Sequence, residues 1–127
     1  MKLTGGEIVV RALEDERIPF TFGIPGTHNI ELYDALADSS VVRPVLVTDE
    51  QSAGFMADGV WRASGSLGCV NIVPGAGLTH ALSGIAEAYM DGVPMLVSRG
   101  VGSGGGGVPH VRFLARPEVG VIDLVYR

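Results

Sequence analysis

The fold is decided by residues 68–98, which read GCVNIVPGAGLTHALSGIAEAYMDGVPMLVS. The apolar run from Gly68 to Val73 has the length of a buried strand, and a turn rich in glycine follows it. A helix of small residues is predicted from about Leu78 to Met90, and a second apolar strand from Val93 to Ser98. This order is typical of a parallel sheet, because parallel neighbours need a long crossover connection.

The residues before this stretch repeat the alternation of helix and strand. Thr4 and Glu7 have the spacing of a capping box, so a first helix is predicted to begin after Thr4. The other predicted elements are strands at residues 20–22 and 41–47, the second with Pro44 near its start, and helices at residues 30–36 and from about Glu50 to Gly65. Nearly continuous apolar strands are buried on both faces. We therefore predict an α/β domain with a doubly wound, mostly parallel sheet flanked by helices.

The end of the chain departs from this pattern. We assign residues 1–100 to the α/β domain, and residues 101–127 to a glycine-rich loop with a possible terminal strand at 119–125. No helix of ordinary length is predicted between strand four and that last strand, although a parallel crossover normally contains one. The sequence therefore predicts a domain that is shortened at its C-terminus.

Composition excludes several classes of function. The chain is 46% hydrophobic with a net charge of −5, which argues against disorder and against nucleic-acid binding. Its single cysteine, Cys69, lies in an apolar run and is interpreted as a buried hydrophobic residue. The three histidines are far apart and have no cysteine partners, so no metal site is predicted. No signal peptide or membrane span is evident, and a cytoplasmic location is the default.

Four segments at the predicted strand ends and helix starts carry the functional prediction. They are FGIPGT at residues 22–27, DEQSAGFMADG at 49–59, GAGLTH at 75–80 and GIAEAYMDGVP at 84–94. In order and spacing they resemble the pyrimidine-binding domain at the N-terminus of thiamine diphosphate enzymes of the acetolactate synthase and 2-oxoacid decarboxylase type. The resemblance covers about residues 3–100.

The resemblance implies a role for seven residues. Glu50 matches the activating glutamate, whose carboxyl group hydrogen-bonds a ring nitrogen of the aminopyrimidine and so promotes loss of the thiazolium proton. The further implied cofactor-binding residues are Gly23, Pro25, Gly26, Gly75, Gly77 and His80. His80 stands where the family usually has asparagine, which leaves substrate preference open. A packed histidine at the start of a helix is the simpler interpretation of His80.

A simpler interpretation also exists for Glu50 itself. A strand-to-helix corner with solvated acidic residues would explain Asp49 and Glu50 without any cofactor. Burial would keep the carboxyl group protonated, whereas a helix N-terminus favours the carboxylate, and the sequence does not decide between the two. The small residues after Glu50 fit either an interface or an ordinary core helix.

The chain lacks the Gly-Asp-Gly motif that holds Mg²⁺ and the diphosphate in this family. The resemblance therefore implies a separate diphosphate-binding domain or subunit, in an enzyme that makes or breaks carbon–carbon bonds next to a carbonyl, and homo-oligomers are possible. An inactive truncated remnant is the second interpretation. A nucleotide- or dinucleotide-binding module is the third, because Gly102-x-Gly104-x-x-Gly107 fits the dinucleotide pattern. The turn Gly75-x-Gly77 is better placed, but His80 occupies the position of its third glycine. The strand that follows this turn ends with Ser98 and Arg99, where an acidic residue for a ribose would be needed.

Overall fold

The structure is a computed structural model that describes residues 3–100, 109–114 and 122–125. The helices are α1 (Gly5–Asp15), α2 (Ile30–Ala37), α3 (Glu50–Ser64) and α4 (Ala76–Met90). The strands are β1 (Phe20–Gly23), β2 (Arg43–Leu46), β3 (Gly68–Ile72), β4 (Met95–Gly100), β5 (Pro109–Leu114) and β6 (Ile122–Val125). All four predicted helices and all five predicted strands are therefore present, with ends that differ by a few residues.

The strands form one sheet in the order β2-β1-β3-β4-β5-β6. Strands β1 to β4 are parallel, whereas β5 and β6 are antiparallel to their neighbours. The helices lie on both faces, α1 and α2 against one and α3 and α4 against the other. The prediction of a doubly wound, mostly parallel α/β sheet is confirmed.

Strand β5 was not predicted, because a parallel crossover was expected after β4. In the structure β5 is antiparallel to β4, and β6 is antiparallel to β5. Antiparallel neighbours need no crossover helix. Strand β6 falls inside the predicted segment 119–125. The dinucleotide-like pattern at residues 102–107 lies outside the described residues.

Strand β2 is the edge of the sheet and is only partly buried, unlike the strands buried on both faces that were predicted. The backbone nitrogen of Arg43 donates to Pro19 at 3.0 Å, and that of Val47 donates to Gly23 at 3.1 Å. Backbone nitrogens alternate in direction along a strand, so position 44 would point its N–H away from β1. Pro44 therefore removes no hydrogen bond from the sheet and does not interrupt the strand.

Two apolar cores, one on each face, hold the helices on the sheet. The first includes Val9, Val10, Leu13, Ile18, Leu32, Leu36, Val42, Cys69 and Leu96. The second includes Phe22, Ala53, Ala57, Val70, Ile72, Ala81, Ile85, Ala88, Met95 and Val97. The predicted capping box of α1 is confirmed, because Thr4 N donates to Glu7 Oε2 at 2.6 Å and Glu7 N donates to Thr4 Oγ1 at 3.3 Å.

Helices α3 and α4 are in direct backbone contact. A Cβ atom added at Gly84 would lie 2.5 Å from the carbonyl carbon of Gly54, and one added at Gly54 would lie 3.0 Å from Cα of Gly84. Both positions therefore need glycine for the helices to approach this closely. Gly54, Ala53 and Ala57 of α3 therefore make contacts within this chain, as expected of a core helix.

Candidate functional site

The N-termini of α3 and α4 come together at the carboxyl edge of the parallel strands. Glu50 is the first residue of α3, and Asp49 before it has the extended backbone of an N-cap residue. Helix α4 begins at Ala76, directly after Gly75. Because α3 and α4 contact each other along their length, residues of their first turns face one another. This edge is where ligands bind in doubly wound sheets.

The carboxyl group of Glu50 is sheltered but has no hydrogen bond within residues 3–100. Its side chain is 14% exposed, whereas that of the neighbouring Asp49 is 47% exposed. The contact with His80 is longer than a hydrogen bond, with Nδ1 of His80 at 3.5 Å from Oε2 of Glu50. A carboxyl group in this setting can accept or share a proton with a ligand, and the helix N-terminus favours negative charge there.

Gly75 and Gly77 shape the wall beside Glu50. Gly75 has a φ of 74°, a left-handed conformation that favours glycine. A Cβ atom at Gly77 would lie 2.9 Å from Cγ2 of Val73 and 3.4 Å from Oε1 of Glu50. A side chain at position 77 would therefore cover the carboxyl group, and glycine keeps it accessible.

The loop from Gly23 to Gly26 lies next to the same wall through Val73. A Cβ atom at Gly26 would lie 2.6 Å from Cγ1 of Val73, whose other methyl group faces Gly77. A Cβ atom at Gly23 would collide with the carbonyl oxygen of Asn71, so Gly23 is required by strand packing. Pro25 is exposed in this loop. Val73 was missed as a site residue, although it is the last apolar residue before the glycine turn.

Asn29 fixes this loop instead of capping α2 with its side chain. Its Oδ1 accepts a hydrogen bond from Gly26 N at 2.7 Å, and its Nδ2 donates to Ile24 O at 3.3 Å and to Asn71 Oδ1 at 3.4 Å. The Tyr33 hydroxyl would lie 3.0 Å from a Cβ atom at Gly23. Burial, with a smaller contribution from nearby Cys69, raises the pKa of Tyr33 well above its usual range, so this hydroxyl stays neutral.

His80 lies beside both acidic residues. Its Nδ1 is 3.9 Å from Oδ1 of Asp49, and its side chain is 65% exposed. One potential ligand atom from each of Asp49, Glu50 and His80 lies within 4.8 Å of the others. Spacing along the sequence separates His80 from both acidic residues by about thirty positions and does not reveal this cluster. It brings together three donors that a cation could also contact.

An open depression of about 520 Å³ lies at the N-terminal end of α3. Its lining residues are Asp49, Gln51, Ser52, Phe55 and Met56. Phe55 and Met56 are 43% and 45% exposed.

Within the part of the chain that the structure describes, no helix has the length and hydropathy needed to cross a membrane.

The structure thus brings together Glu50, Gly77 and His80 and places the Gly23–Gly26 loop next to them across Val73. Comparison with known proteins gives a match between residues 3–101 and the family model described as thiamine pyrophosphate enzyme, N-terminal TPP binding domain.

Curated relatives match over the same part of the chain. The acetolactate synthase large subunit of Haemophilus influenzae is 43% identical over 99 residues, which cover 78% of this chain and 17% of the relative. The acetolactate synthase isozyme 3 large subunit of Escherichia coli is 46% identical over 98 residues, which cover 77% of this chain and 17% of the relative. A probable 2-ketoarginine decarboxylase of Pseudomonas aeruginosa is 46% identical over 95 residues, covering 75% and 17%. The chain spans about a sixth of the length of these relatives.

Proposed function

Since the chain belongs to the family of N-terminal TPP binding domains of thiamine pyrophosphate enzymes, we propose that it binds the aminopyrimidine half of thiamine diphosphate and that Glu50 contacts a ring nitrogen of that group. Gly75, Gly77 and His80 then line the pocket, and the loop with Gly23, Pro25 and Gly26 supports it. The proposal is narrower than family membership, because it assigns the cofactor contact to individual side chains.

The observation that carries the proposal is that the Glu50 carboxyl group is sheltered and has no hydrogen-bond partner among residues 3–100. The side chain is 14% exposed, yet no hydrogen bond from residues 3–100 reaches it. A partly sheltered carboxyl group that accepts no hydrogen bond from these residues is available to a ligand that supplies a donor. The ring nitrogen of an aminopyrimidine can share a proton with a carboxyl group, so the donor set fits this cofactor.

Each residue has a limited task in this mechanism. The bound cofactor supplies the carbanion chemistry. Glu50 would offer its carboxyl group to the ring nitrogen, and the N-terminus of α3 favours negative charge at this position. Gly77 has no side chain, so a flat ring can approach the carboxyl group closely. Val73 forms an apolar wall that limits the access of water to the shared proton.

The remainder of the active site is proposed to lie outside this chain. The sequence has no Gly-Asp-Gly motif, so Mg²⁺ and the diphosphate would be held by a separate diphosphate-binding domain or subunit. The reaction would make or break a carbon–carbon bond next to the carbonyl of a 2-oxoacid. A cytoplasmic location remains a prediction.

Cofactor binding can be tested with the full chain by following backbone amide resonances during titration with thiamine diphosphate in EDTA. We expect saturable changes in the resonances around Glu50 and Gly77. In Glu50→Gln the affinity should be weaker by about tenfold or more, because a charge-assisted hydrogen bond is lost. Glu87→Gln, at an exposed position of α4, is the matched control and should bind like the wild type. Equal affinity in Glu50→Gln and wild type would remove Glu50 from the contact.

Turnover needs the missing part of the site. A co-expressed partner with the Gly-Asp-Gly and asparagine motif should give activity on 2-oxoacids with the wild-type chain and lose it with Glu50→Gln. A chain that binds neither cofactor nor such a partner would support the inactive remnant.

A further inference from the structure

We propose that Asn29 is a positioning residue for the cofactor pocket, because its side chain fastens the Gly23–Gly26 loop to β3 and thereby holds Val73 in place beside Glu50. The inference rests on the proposed function, and it adds to that function a residue that does not itself touch the cofactor. It depends on the hydrogen bonds of Asn29, on its burial and on the contacts that lead from the loop to the carboxyl group.

Asn29 makes all the hydrogen bonds that hold residues 24–28 within residues 3–100. Its Oδ1 accepts from Gly26 N at 2.7 Å, its Nδ2 donates to Ile24 O at 3.3 Å, and its backbone nitrogen donates to Gly26 O at 3.1 Å. An asparagine directly before a helix ordinarily accepts a hydrogen bond from the first turn of that helix. Asn29 makes no such bond with α2, because its side chain turns back to the loop. The conformation of the loop therefore depends on one residue.

The same side chain joins the loop to β3. Nδ2 of Asn29 donates to Oδ1 of Asn71 at 3.4 Å, and the two residues are 4% and 1% exposed. This bond is long, but burial leaves neither amide a replacement in bulk water. Nδ2 of Asn71 is buried without a partner among the described residues, so the bond from Asn29 is the one that holds this amide.

Contacts lead from the loop to the Glu50 carboxyl group through Val73. A Cβ atom at Gly26 would lie 2.6 Å from Cγ1 of Val73, so the loop lies directly against this methyl group. On the other side, Cγ2 of Val73 is 2.9 Å from the position of a Cβ atom at Gly77, and this position is 3.4 Å from Oε1 of Glu50. The side chain of Val73 is therefore confined between the loop and the wall of the pocket.

Loss of the Asn29 side chain should release this arrangement. When Gly26 is no longer held, the side chain of Val73 can turn about χ1 into another staggered position. Its methyl groups then move relative to Gly77 and change the access to Glu50. A cofactor has to select the open arrangement, so its apparent affinity falls with the fraction of molecules that keep it. Binding should weaken although every group that touches the cofactor is still present.

The first experiment tests the hold on the loop without cofactor. Amide hydrogen exchange of the full chain is followed by NMR, and the rate at Gly26 is compared with the rate at Val70 in the core. We expect Asn29→Ala to speed exchange at Gly26 about tenfold more than at Val70, because the opening is local. The matched control is Ser39→Ala, since Ser39 accepts from Val42 N at 3.0 Å just after the other end of α2. It should leave the ratio of the two rates unchanged.

Equal acceleration at both amides in Asn29→Ala would overturn the proposal, because it would show that Asn29 stabilises the fold as a whole and does not hold the loop.

The second experiment measures affinity for thiamine diphosphate by titration in EDTA. We expect Asn29→Ala to bind about three- to tenfold more weakly than the wild type, and Ser39→Ala to bind like the wild type. Asn71→Val removes the acceptor and the unpartnered donor, and valine suits a buried parallel strand. This variant should therefore bind about threefold more weakly while its free energy of unfolding changes little. It also carries the test if Asn29→Ala does not fold.

The double variant Asn29→Ala/Asn71→Val tests the link between the loop and β3. If both residues act through one contact, it should bind like Asn29→Ala alone. Additive losses would overturn the link on which the proposal rests.

The outcomes separate this proposal from the proposed function. Equal cofactor affinity in wild type, Asn29→Ala and Asn71→Val would overturn the role of Asn29 and leave the contact of Glu50 standing. A wild-type chain that binds no cofactor would overturn both.

Discussion

The two faces of the sheet are covered by helices that meet it with different side chains. On one face, α1 and α2 contribute mainly valine and leucine to the core: Val9, Val10, Leu13, Leu32 and Leu36. On the other face, α3 and α4 contribute mainly alanine, namely Ala53, Ala57, Ala81 and Ala88, together with Ile85. Large side chains separate a helix from the sheet, whereas alanine allows the backbones to approach.

The difference explains where the candidate site lies. A Cβ atom at Gly68 of β3 would collide with the backbone of Ala57, so α3 lies almost directly on the strand. The same helix contacts α4 through glycine. The face with small residues therefore brings two helix N-termini to one point, and Glu50 and His80 meet there. The face with large residues stabilises the fold, but its two helices do not bring their N-termini together in this way.

The largest effect on stability is expected from Leu36→Ala, on the face with large residues. Leu36 is 1% exposed, and its truncation should lower the free energy of unfolding by about 2–5 kcal/mol, because a cavity remains. Urea unfolding measures the loss. The fraction that stays folded should bind thiamine diphosphate as the wild type does. Weaker binding by this fraction would show that the two faces are not independent.

Gly84→Ala should have a smaller effect on stability and a larger one on the site. We expect about 1–3 kcal/mol lower stability from overpacking, with α4 displaced from α3 and cofactor affinity reduced. Gly59→Ala is the matched control in α3, because a Cβ atom there meets nothing within 4 Å. It should stabilise the chain by about 0.5–1 kcal/mol through helix propensity. A loss of stability in the control would contradict the steric explanation.

The alkaline limit of stability provides a third test, on the face with large residues. Burial raises the pKa of the Cys69 thiol from 9.0 to about 12. The thiol stays neutral when folded but ionises when unfolded, so its contribution is complete below about pH 9 and is lost as the pH rises toward 12. Cys69→Ala should be less stable than the wild type at neutral pH. Between about pH 9 and about pH 11, however, its free energy of unfolding should fall by about 1–2 kcal/mol less than that of the wild type. Urea unfolding at each pH measures this.

The raised pKa of Tyr33 acts in the same direction and remains in Cys69→Ala. Some alkaline loss should therefore persist in the variant. Identical pH dependence in variant and wild type would show that the thiol is not buried in the folded chain.

The smallest effect is expected from Arg62→Gln, at the far end of the helix pair from Glu50. Arg62 joins Asp58 of α3 to Asp91 after α4, both at 2.6 Å. The hydrogen bonds that its guanidinium donates, first to Asp58 and then to Asp91, raise the pKa of Arg62 above its usual range. Its loss should lower the melting temperature, because Asp58 is only 8% exposed and loses its partner, but less than Gly84→Ala does, because the Arg62 side chain is 44% exposed and water can replace part of the contact. The difference should shrink in high salt, and Arg43→Gln is the exposed control.

Most of the fold could be predicted from the sequence, because the strand and helix patterns are local. Helix α3 starts at Glu50 because Asp49 before it has an extended backbone, and it ends before Gly65 because this glycine adopts the left-handed conformation. Strand β5 could not be predicted by assuming parallel order. In the site, local motifs indicated Glu50 and the glycine turns. The approach of Asp49 to His80 depends on the contact between α3 and α4, which residue spacing does not reveal.

Pro44 has a consequence for association between chains. Strand β2 forms the free edge beside β1, and its outward position 44 has no N–H to offer. A strand from another molecule that tried to extend the sheet there would lack a hydrogen bond and would meet the exposed side chain of Arg43. The edge that carries Leu46, 68% exposed, is thereby protected from sheet-to-sheet aggregation. Pro44→Val should keep the fold and increase the tendency to form β-aggregates.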